Sequence, residues 1–160
     1  MTGAKEEMSP RDILSEPLVG WRAWHVVYEN SLPVLVSWSL NTTWPARRKL
    51  ESACERHGPR PHRDHDCGIH AFKSRDEALA YAGFLPYEGL SFVRAMEGRA
   101  CVAVGRVSLW GRVVAHRGGY RAQFAYPYEL FLIDGDQGIA RDLARRYAVE
   151  VSAEPGRLAA

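Results

Sequence analysis

No stretch of this 160-residue chain reaches the roughly 18 apolar residues that a membrane-crossing helix requires. Its opening, MTGAKEEMSPRDILSEP, is polar and acidic where a secretory leader would be basic and then apolar, so a cytoplasmic protein without a membrane partner is expected. Cysteine is scarce and odd in number, three in all, which excludes a secreted disulfide framework. Neither sign of charge dominates: 21 Lys+Arg against 19 Asp+Glu leave +2, which argues against a polycation that coats nucleic acid but still allows a local basic face. Internal repeats and low-complexity segments are lacking too. What remains, 46% hydrophobic residues in one continuous pattern, fits a single domain able to bury roughly two-thirds of its unfolded surface. Such a chain needs no metal merely to fold, so a metal site would call for its own explanation.

Residues 1–17 have little apolar periodicity and read as a flexible N-terminal tail with at most one helical turn around Arg11 to Ser15. A single β-rich domain is expected over 18–152, followed by a C-terminal tail at 153–160. Trp21 to Tyr28 and Pro33 to Trp38 are rich in β-branched and aromatic residues and read as a hairpin turning at Glu29-Asn30-Ser31. Leu40 to Trp44 is a further short strand, stopped by Pro45, and Ile69 to Phe72 another. Ser74 and Glu77 form a capping box that opens a helix over Arg75 to Ala82, closed by Gly83, and 84–98 read as loop. From Ala100 to Ile133 the β signal is strongest, with Gly118-Gly119 as a hairpin turn. Asp136 caps a helix over Gln137 to Tyr147 that buries Ile139, Leu143 and Tyr147, and Ala148 to Val151 returns as a last strand. The class is α+β, mainly β: a small, mostly antiparallel barrel or half-barrel with two short helices.

Regular structure is not expected between Glu55 and Cys67, where Gly58, Pro59 and Pro61 punctuate a polar run, so something other than backbone ladders must order it. The run CERHGPRPHRDHDCGIH holds four of the six histidines and two of the three cysteines. Cys54 and His57 stand as C-x2-H and His65 and Cys67 as H-x-C, which supplies four nitrogen and sulfur ligands of the kind a structural Zn2+ takes. His62 and His70 are alternatives for any of these places, and the whole zinc loop spans 54–70. Solvated histidines and free thiols on a surface loop are the competing explanation. With one ligand replaced by water the centre would instead be an open, enzymatic one, with Glu55, Asp64 or Asp66 as base. Cys101, in an apolar strand, reads as a small buried hydrophobe.

Alternation along the late hairpin turns Trp110, Arg112, Val114 and His116 to one side, and Tyr120 and Arg121 follow across the turn. Rings beside cations suit base stacking and phosphate contact, so Trp110, Arg112, His116, Tyr120 and Arg121 are candidate ligand-binding residues, with Trp21, Arg22 and Trp24 adding similar groups. Core packing of the same aromatics is the alternative.

Several motifs resemble those of a group of small bacterial proteins common in actinobacteria. The shared residues are Gly20-Trp21-Arg22-Ala23-Trp24, Trp44-Pro45, Cys54, His57 and Cys67-Gly68-Ile69-His70-Ala71. To these are added Gly105 to Gly111, Gly119-Tyr120-Arg121-Ala122 and Ala125-Tyr126-Pro127. His65 stands where that group has the first cysteine of C-x-C, which keeps a metal ligand, and His70 replaces a tyrosine. The late block is also similar to PUA-like barrels, and that likeness implies a domain that reads RNA or modified bases.

The expectation is a zinc-stabilised module that binds RNA, DNA or a nucleotide-like small molecule and performs no catalysis. A zinc enzyme using His70 or His116 as acid or base, and an adaptor that docks a protein partner, are the alternatives.

Overall fold

The computed structural model describes residues 17–38, 42–84 and 99–154. Within these, seven strands and two helices follow one another as β1 Leu18–Glu29, β2 Leu32–Ser37, β3 Leu50–Glu51, β4 Ile69–Phe72, α1 Arg75–Tyr81, β5 Arg99–His116, β6 Gly119–Ile133, α2 Gln137–Tyr147 and β7 Glu150–Glu154. The mainly-β expectation holds. The tail over 1–16, residues 39–41 with the first two of the short strand expected over Leu40 to Trp44, the loop over 85–98 and the chain after 154 lie outside the described residues.

The long β signal resolves into β5 and β6, an 18-residue and a 15-residue strand paired from Val102↔Ile133 to His116↔Gly119. β1 pairs β5 along Leu18↔Leu109 to Val27↔Arg99 and pairs β2 from Trp24↔Ser37 to Glu29↔Leu32. On its other side β6 pairs β4, from Ile69↔Ala122 to Phe72↔Gly119, and β4 reaches β1 through one pair, Trp21↔Phe72. Pairing therefore runs in a ring, β1–β5–β6–β4–β1, within one seven-stranded sheet, although a seam one pair wide falls short of a barrel. The sheet is mixed, because β7 runs parallel to β6. That strand begins two residues later than the expected Ala148, which is the left-handed cap of α2 at φ 55° and belongs to neither element. β3, only two residues paired to Phe124 and Ala125, carries no sequence signal of its own.

Two apolar clusters hold the sheet. The larger gathers Trp24, Trp44, Leu109, Leu130, Leu132, Leu143 and Tyr147, all essentially buried, under α2. Trp24 meets Trp44 edge-on at 5.4 Å, so Trp24 is a core residue and adds nothing to a surface. Tyr147 keeps its hydroxyl satisfied in that core by donating to the Trp44 carbonyl and accepting from the Leu35 amide, each at 2.9 Å. The smaller cluster packs Ala78, Leu79 and Ala82 of α1 against Ala23, Val102, Val104 and Ile133. The capping box forms as the sequence dictates, with the Glu77 amide donating to Ser74 Oγ and the Ser74 amide to Glu77 Oε2. Among the described residues no helix is long and apolar enough to cross a membrane.

Candidate metal centre and adjoining cleft

Residues 52–68 leave the sheet at Ser52, whose amide donates to the Gln123 carbonyl, and return to it at β4. Reciprocal bonds between Cys54 and Gly58, at 3.0 and 2.8 Å, close a tight turn that the left-handed Gly58 (φ 63°) permits. That turn swings His57 back, and its Nδ1 lies 3.7 Å from Cys54 Sγ. The loop then brings His65 Nδ1 to 3.5 Å from Cys54 Sγ and 3.3 Å from His57 Nδ1, while Cys67 Sγ lies 3.8 Å from His57 Nδ1. All four donor atoms fall within 4.8 Å of one another, so Cys54, His57, His65 and Cys67 could hold a metal ion. Neither alternative joins them. His62 stacks its ring on His57 at 4.6 Å and accepts from the Asp64 amide, and His70 lies beyond the loop beside the Asp66 carbonyl.

Local electrostatics favour the deprotonated donors that metal binding needs. The Cys54 thiol is pushed down, chiefly by the Arg56 amide, against the opposing cost of burial, with the His57 amide and Cys67 adding less. His57 is also pushed down, first by burial and then by the charges of His62, His65 and Arg56.

Arg121 organises the loop from below. The residue is 1% exposed, and its Nη1 shares its two protons among the carbonyls of His62 (3.1 Å), His65 and Cys67 (2.7 Å). One planar cation thus gathers three backbone acceptors of a segment that has few ladder bonds of its own. Close approach is needed: a side chain on Gly68, at φ 109°, would meet Pro61 Cβ at 2.9 Å and Arg121 Cβ at 3.1 Å.

The five residues expected to share a ligand face are divided. The β5–β6 register shifts between Trp110 and Val113, with Gly111 left-handed at φ 75°, so two residues of β5 oppose one of β6. Such a bulge reverses the alternation. Trp110 therefore shares a side with Phe124, whose ring is 5.9 Å away, and with Tyr120, whereas His116 shares the other side with Val114 and Arg121. Arg112 lies exposed in the bulge, its amide donating to Gln123 Oε1. As a surface contact Arg121 is corrected outright, because its charge is buried beneath the loop.

A cleft of ≈ 700 Å³ opens where β1 and β4 separate beyond their single pair. Arg22 and Trp38 line one wall, Asp66 to Phe72 another, and Tyr81 and His116 border it. Cys67 lies on this wall, so the loop that gathers the four donors also shapes the cleft. Trp38, Phe72 and Tyr81 went unnoticed in the sequence, since nothing in their local pattern sets them apart from core aromatics. Burial is the main cause holding the imidazoles of both His70 and His116 below their ordinary value. Cys101, buried in its strand, has its thiol pushed up to about 11, and behaves as the hydrophobe expected. In comparisons with family models, curated proteins and solved structures, the chain matches none.

Proposed function

We propose that this chain is a zinc-ordered binding module, without catalysis of its own, for nucleic acid or a nucleotide-like ligand. The four-donor cluster carries the reading. Tetrahedral zinc at ordinary bond lengths sets donor separations of about 3.3 Å for N–N, about 3.6 Å for N–S and about 3.8 Å for S–S. The 3.3 Å between the imidazoles and 3.5, 3.7 and 3.8 Å between nitrogen and sulfur lie near that pattern, and the remaining two separations are within 4.8 Å. Four protein donors leave no position for water, which supports a structural ion over an open enzymatic one. Cys54 and Cys67 serve as thiolates, a state that a reducing cytoplasm preserves.

Support for the ligand comes from the cleft beside the loop, where Trp38, Phe72 and Tyr81 supply rings and Arg22 a cation. Trp110 and Tyr120 lie on the other side of the hairpin from His116, and we place the ligand in the cleft. The adaptor alternative rests on Val19, Tyr28, Leu32, Tyr81 and Tyr128, exposed large apolar residues among those described, of which only Tyr81 borders the cleft.

Elemental analysis of tag-free protein and of Cys67→Ser tests the metal, together with thermal melts before and after chelation. One zinc per chain, lost in the variant along with several degrees of melting temperature, is expected. A metal-free wild-type protein would overturn the reading. Binding of a short single-stranded RNA, measured across salt concentrations, tests the ligand, and affinity should fall as salt rises.

A further inference from the structure

Arg22 sets a full charge, half-buried, on the wall of the cleft. Its Nη1 donates to the His70 carbonyl at 2.5 Å and its Nη2 to Ser37 Oγ at 3.1 Å. The Trp44 ring lies 5.0 Å from the guanidinium, and Nε is buried with no partner among the described residues. Burial pushes its pKa down to about 10, with the Tyr81 phenol opposing. Both hydrogen-bond acceptors are neutral, and no carboxylate pairs with Arg22 among the described residues. A cation that has given up part of its hydration is tolerated best when a counter-charge offsets the loss. The described residues supply none, and Arg22 borders an open cleft.

The rest of the cleft adds hydrogen-bond donors beside that charge. His70 and His116 line it, their protonation disfavoured first by partial burial and then by charge, that of Arg121 at His116 and those of Arg22 and Arg121 at His70. Two carboxylates border it, Glu51 and Asp66. The Asp66 side chain is 90% exposed and lies 4.0 Å from His70 Nε2 and 3.8 Å from Arg121 Nε, so it faces those groups and leaves Arg22 unanswered. At ≈ 700 Å³ the cleft is of the size that takes a small molecule, and a duplex is far too wide for it.

We infer that this cleft is a phosphate site for a single nucleotide unit, with Arg22 as its anchor, His70 and His116 as further donors, and Trp38, Phe72 and Tyr81 as the apolar wall beside the ring. The inference rests on the nucleotide reading above and gives it a place and a charge requirement. The same chemistry is offered by a free nucleoside monophosphate and by the phosphorylated end of a single strand.

Calorimetric titration of the zinc-loaded chain decides. The probes are adenosine and uridine 5′-monophosphates, the matching nucleosides, and a short single-stranded RNA with and without its 5′-phosphate. Removing the phosphate should weaken binding roughly tenfold or more, as losing a charge-assisted bond does. Arg22→Gln should weaken the phosphorylated probes by a similar factor while leaving the nucleosides unchanged. His116→Gln, at a half-buried position, should weaken them less, and it decides the matter if Arg22→Gln does not fold. A phosphorylated strand that binds more tightly than the monophosphates assigns the site to strand ends, and equal affinities assign it to the free nucleotide. RNA binding that ignores the 5′-phosphate, Arg22 and His116 would overturn this site while leaving the module a nucleic-acid binder. Failure of every probe to bind would overturn both.

Discussion

Replacing Arg121 by methionine keeps most of the stem and removes the charge that gathers the metal loop. Its Nη1 bonds to the carbonyls of His62, His65 and Cys67 go with it, and since Nη1 carries two protons they amount to two full bonds, one of them shared. At about 1.5–2.5 kcal/mol for each of the two the gross loss is about 3–5 kcal/mol, since hydrogen bonds from charged donors exceed the neutral average. Burying methionine instead of a guanidinium that is 1% exposed returns roughly 1 kcal/mol of hydration cost. The net loss is then about 2–4 kcal/mol, and a chain of this size loses about 2–4 °C of melting temperature per kcal/mol. Calorimetric melts of the zinc-loaded protein should therefore fall by about 5–15 °C. Zinc affinity, measured by competition with a chelator, should fall roughly 10- to 100-fold, as it does when groups that orient metal ligands are lost. Arg121→Lys should lie between, because an ammonium offers a point charge where the fork offered a plane. If Arg121→Met melts within about 2 °C of wild type and holds zinc as tightly, the guanidinium does not organise the loop.

Tyr147→Phe strands the Leu35 amide and the Trp44 carbonyl in the core, and should cost about 1–3 kcal/mol in urea unfolding; an unchanged midpoint would mean that water replaces the hydroxyl. Gly111→Ala places a Cβ at φ 75° and 2.7 Å from the Phe124 ring, so a loss of about 1–2 kcal/mol is expected, read from the same unfolding curves. Stability should also decline with acidification below neutrality. His25, His70 and His116 bind protons less readily in the fold than at their ordinary 6.5, so the unfolded chain takes up protons first as pH falls through that value. The decline continues until the folded-state value is passed, should appear between pH 7.5 and 5.5 in urea midpoints, and should be smaller in His116→Gln. A midpoint that rises on acidification would contradict these shifts.

The four donors were legible because their chemistry is local. Cys54-x2-His57 closes on itself through one turn, and His65-x-Cys67 needs only the return of the loop to the sheet. Both helices were legible for a similar reason, since Ser74 and Asp136 cap them from adjacent sequence. The ligand face was misread because period-two alternation presumes an unbroken ladder. Gly111 marks where the ladder breaks, yet a glycine in a strand does not by itself say that a residue has been inserted. Arg121 shows the same limit in another form: its sequence neighbours are aromatic and apolar, and only the fold brings the loop over it. Arg22 was legible as a cation beside tryptophans, whereas its lack of a carboxylate partner depends on β1, β2 and β4 together.

The ring of strands is held unevenly. β4 keeps four backbone pairs to β6 but a single one to β1, and just past that pair the Arg22 side chain takes the place of a ladder bond. Thermal opening should therefore begin at this seam, with β4 turning about its attachment to β6 and carrying the metal loop with it. Amide protons along the β1 side of β4 would then exchange with solvent sooner than those of the β5–β6 ladder, without global unfolding. Because the seam forms one edge of the cleft, the width of its mouth is a fluctuating quantity, set by one backbone pair and one side chain.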